Sequence, residues 1–100
     1  MNVGQEESGA ERPLNEGDLA EIKMRYEQTT QGPWKSYVEG REVMSGSSFI
    51  MTGGEDIYLT GATDADQDFI AYARQDIPRL VAEVERLWKL MRDRSSSQGR

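Results

Sequence analysis

Cysteine and histidine are both missing from this chain. Without cysteine there is no disulfide and no thiolate metal site. Without histidine the commonest imidazole ligand and general base is gone as well. No apolar run is long enough to span a bilayer, and the polar, acidic start MNVGQEESGAERP has none of the character of a signal peptide. A cytoplasmic location with no membrane contact is therefore expected. Basic residues are also short: 12 Lys and Arg stand against 18 Asp and Glu, a formal charge of -6. That balance argues against direct nucleic-acid binding, which needs a basic face.

What remains is 100 residues, one domain at most. Residues 1–13 carry Gly, Glu, Ser and Pro with one sizeable apolar residue, Val3, and residues 95–100 are SSSQGR. Such stretches cannot offset their ordering entropy and are expected to be disordered tails, leaving 14–94 as the folded domain. A core of that size is marginal and needs unusually good packing or a partner subunit. The charges are unevenly spread. Every charged residue from Glu55 to Asp68 is acidic (Glu55, Asp56, Asp64, Asp66, Asp68), while from Arg79 onward basic residues lead. The acidic stretch is either solvated surface and helix-end charge or a patch that meets a basic partner.

The spacing predicts an α+β fold: an N-terminal helix, a small antiparallel sheet of three to four strands, then one kinked or two consecutive C-terminal helices. Asn15 is a good N-cap, with Asp18 three residues on and Leu14 and Leu19 placed as a hydrophobic staple. Leu19, Ile22 and Tyr26 recur at helical spacing, and the helix is expected to stop near Thr29 and Thr30, closed by Gly32-Pro33 through a left-handed glycine. Strands are predicted near Trp34–Glu39, Glu42–Met44, Ser48–Thr52 and Ile57–Thr60, with Gly53-Gly54 as one of the turns. Thr63 or Asp64 caps the next helix. Pro78 predicts a break near Asp76, because proline in a helix interior costs ~3 kcal/mol. An unbroken helix would also be too long for a compact domain. In the last helix Ile77, Leu80, Val84, Leu87 and Met91 follow a 3, 4, 3, 4 spacing, a coiled-coil seam of about two heptads widened by Val81, Trp88 and Leu90.

Tests for chemistry come out negative. Asp64-Ala65-Asp66-Gln67-Asp68 opens like a calcium loop, but the obligatory glycine is Phe69 and the twelfth-position glutamate is Gln75. The glycines form neither a phosphate loop nor a dinucleotide fingerprint. Ser45, Ser47 and Ser48 have no histidine to activate them and no nucleophile elbow. No catalytic, cofactor or metal residue is assigned, and no enzyme is expected. Two kinds of site remain open. Leu80, Val84, Leu87, Trp88 and Met91 form a candidate interaction surface, because the last helix carries more apolar surface than a small sheet can cover. Trp34, Lys35, Tyr37, Arg41 and Arg74 form an alternative ligand face, where cations meet phosphates and an aromatic stacks on a base. Trp34, at the helix-to-sheet junction, also suits a core anchor.

Two segments carry a family resemblance. Glu27-Gln28-Thr29-Thr30-Gln31-Gly32-Pro33-Trp34 follows an amphipathic helix, and Asp66-Gln67-Asp68-Phe69-Ile70-Ala71-Tyr72-Ala73 precedes Pro78 and a Leu-rich helix. This order, over roughly Leu14 to Leu87, resembles the Ead-like accessory proteins of the early region of lambdoid phages and prophages. Where that family typically shows Ala-Asn-Pro, this chain has Gln75-Asp76-Ile77-Pro78. The resemblance implies a phage or prophage origin, a bacterial host cell and no enzymatic role, and it supplies no catalytic residues. The expectation is a non-enzymatic accessory protein that binds a host or phage protein and forms a homo-oligomer through its last helix. The alternative is a small-ligand or nucleotide-sequestering module.

Overall fold

The computed structural model describes residues 12–41 and 46–98. The strand expected at Glu42–Met44 and the N-terminal tail up to residue 11 lie outside the described residues. Four elements follow in order: helix α1 (Glu16–Glu27), strand β1 (Lys35–Tyr37), strand β2 (Phe49–Met51) and helix α2 (Asp64–Gln98).

Helix α1 begins as its sequence dictates. The Asn15 side chain accepts from the Asp18 N–H at 2.8 Å, and the Asp18 carboxylate accepts from the Asn15 N–H at 3.0 Å. This reciprocal box satisfies two otherwise orphaned donors. Its end falls close to the expected Thr29 and Thr30, but the closure differs from the expected one. The helix stops at Glu27, and the Thr29 N–H and hydroxyl both donate to the Tyr26 carbonyl, at 3.2 and 2.8 Å. Gly32 takes no left-handed conformation; positive φ falls at Gly40 and Gly61.

The sheet is smaller than expected among the described residues. β1 and β2 pair antiparallel with Lys35 opposite Met51, Ser36 opposite Ile50 and Tyr37 opposite Phe49. The strand expected over Ile57–Thr60 shrinks to one bridge, in which Ile50 and Ile57 exchange both backbone hydrogen bonds, at 2.8 and 2.9 Å. Antiparallel continuation would set Tyr58 opposite Phe49, the first residue of β2, and Leu59 beyond the strand's end. Before Ile57 the Thr52 hydroxyl accepts from the Gly54 N–H and donates to the Glu55 carbonyl. After it the chain turns at Gly61, φ 84°, into the cap of α2. The period-two alternation buries Ser36 and Ile50 and turns Lys35 and Met51 outward. Tyr37, Phe49 and Tyr58 stack along that outer face, with centroids 5.2 and 5.8 Å apart.

Helix α2 corrects the expectation of two consecutive helices. Thr63 caps it: the Asp66 N–H donates to the Thr63 hydroxyl and the Thr63 N–H to the Asp66 carboxylate, both at 3.0 Å. The helix then runs unbroken past Pro78 and Arg94 to Gln98. Proline removes one backbone donor, but α2 is tied down on both sides of it. Gln67 and Gln75 anchor the stretch before Pro78, and buried Val81 and the Glu85–Lys23 ion pair hold the stretch after it. Compactness imposes no break either, because the molecule is 63 Å along its longest axis. Past Arg94 no Gly or Pro intervenes before Gly99, so the expected tail continues the helix as far as Gln98.

α1 lies antiparallel along the C-terminal part of α2, as the pairs Glu16–Arg92, Lys23–Glu85 and Thr29–Arg74 mark in turn. The sheet covers the N-terminal part. Between them sits a thin core: Ile50 is fully buried, and Leu19, Val38, Ala71 and Val81 nearly so. Two polar residues share it. Buried Gln67 donates to the Ser36 hydroxyl and to the Tyr37 and Phe49 carbonyls, so one side chain of α2 closes onto both strands.

Candidate interaction surface

At 100° per residue, the sides of α2 can be laid out from its buried positions. Gln67, Ala71, Val81 and half-buried Arg74 and Pro78 lie in one stripe against α1 and the sheet. The apolar seam lies about 110° further round. Since the helix does not break at Asp76, the seam extends back from Ile77 through Ala73 to Ile70, and the 3, 4 spacing holds over seven positions from Ile70 to Met91. That is three heptads where an interrupted helix would present two. Little covers them. Leu80 is 61% exposed, Leu87 44% and Met91 65%; Ile70 and Ile77 are 38% exposed, and Val84 is half-buried.

Of the five residues expected at the interaction surface, Leu80, Val84, Leu87 and Met91 belong to the seam. Trp88 does not. It turns toward α1, where it lines a groove with Glu16, Leu19, Lys23, Glu85 and Arg92. A tryptophan between two helices is accounted for as packing.

Two of the five acidic side chains have partners within the chain. Asp66 is engaged in the cap of α2. Asp68 receives a two-pronged contact from Arg41, at 3.2 and 2.9 Å. The Arg41 hydrogen bonds, followed by that of Ser36, hold the Asp68 carboxyl below its ordinary range. Asp64 stands in the first turn of α2, where the helix dipole favours it, and Glu55 and Asp56 lie in the turn before the Ile57 bridge. Among the described residues no group of three or more acidic side chains is arranged to hold a metal ion.

The alternative ligand face is held by internal contacts. Trp34, Lys35, Ser36, Arg41, Asp68 and Tyr72 line one hollow, but the cations meant for phosphate already have partners. Arg41 is on Asp68, and the Arg74 Nε donates to the Thr29 hydroxyl at 2.8 Å. Lys35 sits over the Tyr37 ring, 5.1 Å from its centroid. Trp34 is half-buried, with its indole N–H donating to the Thr30 carbonyl at 3.0 Å. Its backbone is read by Gln75, which accepts from the Trp34 N–H at 2.6 Å and donates to the Trp34 carbonyl at 3.1 Å. These are fold-building roles.

Gln67 and Gln75 were not singled out from the sequence. Their signal is faint but physical: with Ala71 they recur every fourth residue, a small-and-amide stripe on the side of the helix away from the apolar seam. Such a stripe suits strand backbone at close range, where carbonyls need donors.

No described helix is long and apolar enough to cross a membrane. The fold and its surface define a small α+β protein built on one long helix whose apolar seam stands clear of its own core. Compared with family models, with curated proteins and with solved structures, the chain finds no match in any of the three.

Proposed function

We propose that this is a non-enzymatic interaction protein that self-associates through the seam of α2. The observation that carries this reading is the separation of the two sides of α2. One stripe satisfies α1 and the sheet, and a second apolar stripe, at heptad spacing from Ile70 to Met91, lies about 110° round from it, with Leu80, Leu87 and Met91 its most exposed members. Exposed apolar surface of that regularity marks association. The wider setting, a phage-type accessory factor that contacts a host or phage protein in a bacterial cell, rests on the resemblance carried by Gly32-Pro33-Trp34 and by Asp66 to Ala73. Gln75, just past the second segment, holds the backbone of Trp34 in the first. The ligand-binding alternative is the weaker reading, since Arg41 and Arg74 each have a partner within the chain.

Light scattering on a sizing column at two concentrations tenfold apart tests the reading. A mass of two or more chains is expected for the parent protein, and a single-chain mass for Leu80→Glu and Leu87→Glu with the helical circular dichroism retained. A single-chain mass for the parent at both concentrations would refute it.

A further inference from the structure

We propose that the partner on the α2 seam is one further copy of this chain, aligned parallel and in register as a two-stranded coiled coil. The inference rests on the self-association reading above and goes beyond it to strand number and direction.

The residue types along the seam bear on strand number. With Ile70 at a heptad a position, the a residues are Ile70, Ile77, Val84 and Met91, and the d residues are Ala73, Leu80 and Leu87. β-Branched side chains at a with leucine at d favour parallel pairs, whereas leucine at a or isoleucine at both positions shifts preference to higher orders. Pro78 occupies b, on the body side of the helix, so it leaves the seam undisturbed.

Charge at the flanks bears on direction. The g positions that border the seam include Asp76 and Glu83; the e positions are Arg74, Val81 and Trp88. In a parallel pair, g residues lie beside the e positions of the next heptad on the other copy; here those are Val81 and Trp88, turned into their own chain, so Asp76 and Glu83 border uncharged residues. No like charges meet. In an antiparallel pair g meets g. The antiparallel register that keeps the six seam positions from Ala73 to Met91 paired brings Glu83 against its own counterpart. The other register, which pairs the six seam positions from Ile70 to Leu87, sets Asp76 against Glu83 twice. Like charges at such flanks are unfavourable.

Leu80, Leu87 and Met91, 61%, 44% and 65% exposed, are the largest apolar surfaces on the seam that a second copy would cover. Ile70 to Met91 spans roughly 33 Å of helix, enough for three heptads of knobs into holes on each side. A parallel pair also sets both copies of Asp64 and Asp66 at one end of the assembly, since both residues open α2.

The chain has no cysteine, which makes cross-linking clean. Two single variants, Leu87→Cys and Glu83→Cys, are equilibrated as dilute protein in a glutathione redox buffer and run on non-reducing gels. Sizing-column masses are taken on the reduced samples, and circular dichroism confirms that each is folded. The parallel pair sets the two copies of residue 87 directly opposite each other. A covalent dimer is expected for Leu87→Cys at least tenfold in excess of that for Glu83→Cys, on a two-chain mass. Cross-linking by Glu83→Cys in place of Leu87→Cys, or by neither variant on a two-chain mass, overturns the parallel alignment and leaves self-association standing. A mass of three or four chains overturns the two-stranded assembly. A single-chain mass for the reduced variants and for the parent overturns both this inference and the reading beneath it.

Discussion

Gln67 carries the junction between helix and sheet, because one amide meets three acceptors on two strands. Replacing it by leucine keeps the bulk but strands those acceptors in a buried site. Leaving a buried polar group unsatisfied costs ~1–3 kcal/mol, so Gln67→Leu is expected to lose about that much in urea unfolding. Gly53 is constrained by space. Its N–H donates to the Gln31 carbonyl at 2.8 Å, and a Cβ built there would stand 2.7 Å from that same oxygen. Backbone cannot yield cheaply, and overpacking of this kind costs ~1–3 kcal/mol. Gly53→Ala is expected to destabilise within that range, whereas Gly46→Ala, with nothing within 4 Å, serves as the control. Asp68 ties stability to pH. Arg41 lowers its carboxyl in the folded state, so the pair contributes above the ordinary carboxylate range and is lost as pH falls through the lowered value. Arg41→Ala is therefore expected to unfold more readily than the parent at pH 7, with the gap closing in acid. Urea titrations at pH 7 and below pH 3 check this.

Among the elements, those with local signals were legible before any coordinates. The Asn15–Asp18 box starts α1, Thr63 was one of two candidates for the cap of α2, and the alternation around Ile50 does turn one face of the sheet inward. What the chain pattern hid depends on contacts remote in sequence. The third strand reduces to one bridge because β2, its partner, begins only one residue before Ile50, a length that no propensity reports. Pro78 reads as a helix breaker locally, and the ties of Gln75 and Glu85 to other elements hold α2 on both sides as it continues through. The seam residues from Ile77 to Met91 could be read from spacing, but the assignment of Trp88 to α1 could not, since it needs the position of the second helix. One consequence is measurable. If α2 carries Pro78 at a cost offset by tertiary contacts, Pro78→Ala restores the missing backbone donor without losing them. Proline lies ~3 kcal/mol below alanine in a helix interior, so a stabilisation of about 1–3 kcal/mol is expected in thermal or urea unfolding. No change, or a loss, would mean that the ring itself is needed in the packing stripe.

As a whole, the molecule is drawn out rather than round. Its radius of gyration is 18.4 Å, against about 13 Å for a compact chain of this length. An elongated body with a thin core has little burial to offset its ordering entropy, and the largest unused apolar reserve is the seam of α2. If a second copy covers that seam, folding and association become one equilibrium, and stability depends on protein concentration. A tenfold rise in concentration then favours the associated state by about 1.4 kcal/mol per pair of chains. For chains of this size that raises the unfolding midpoint by about 3–6 °C. Because the buried contacts are apolar, the same shift is expected in 50 mM and in 500 mM salt, whereas an assembly held by the acidic side chains would weaken as salt screens it. Leu87→Glu removes the concentration dependence and leaves a chain that melts lower, at one temperature for every concentration. A parent protein that already melts at one temperature across the series would instead place the seam free in solution, and self-association through α2 would be abandoned.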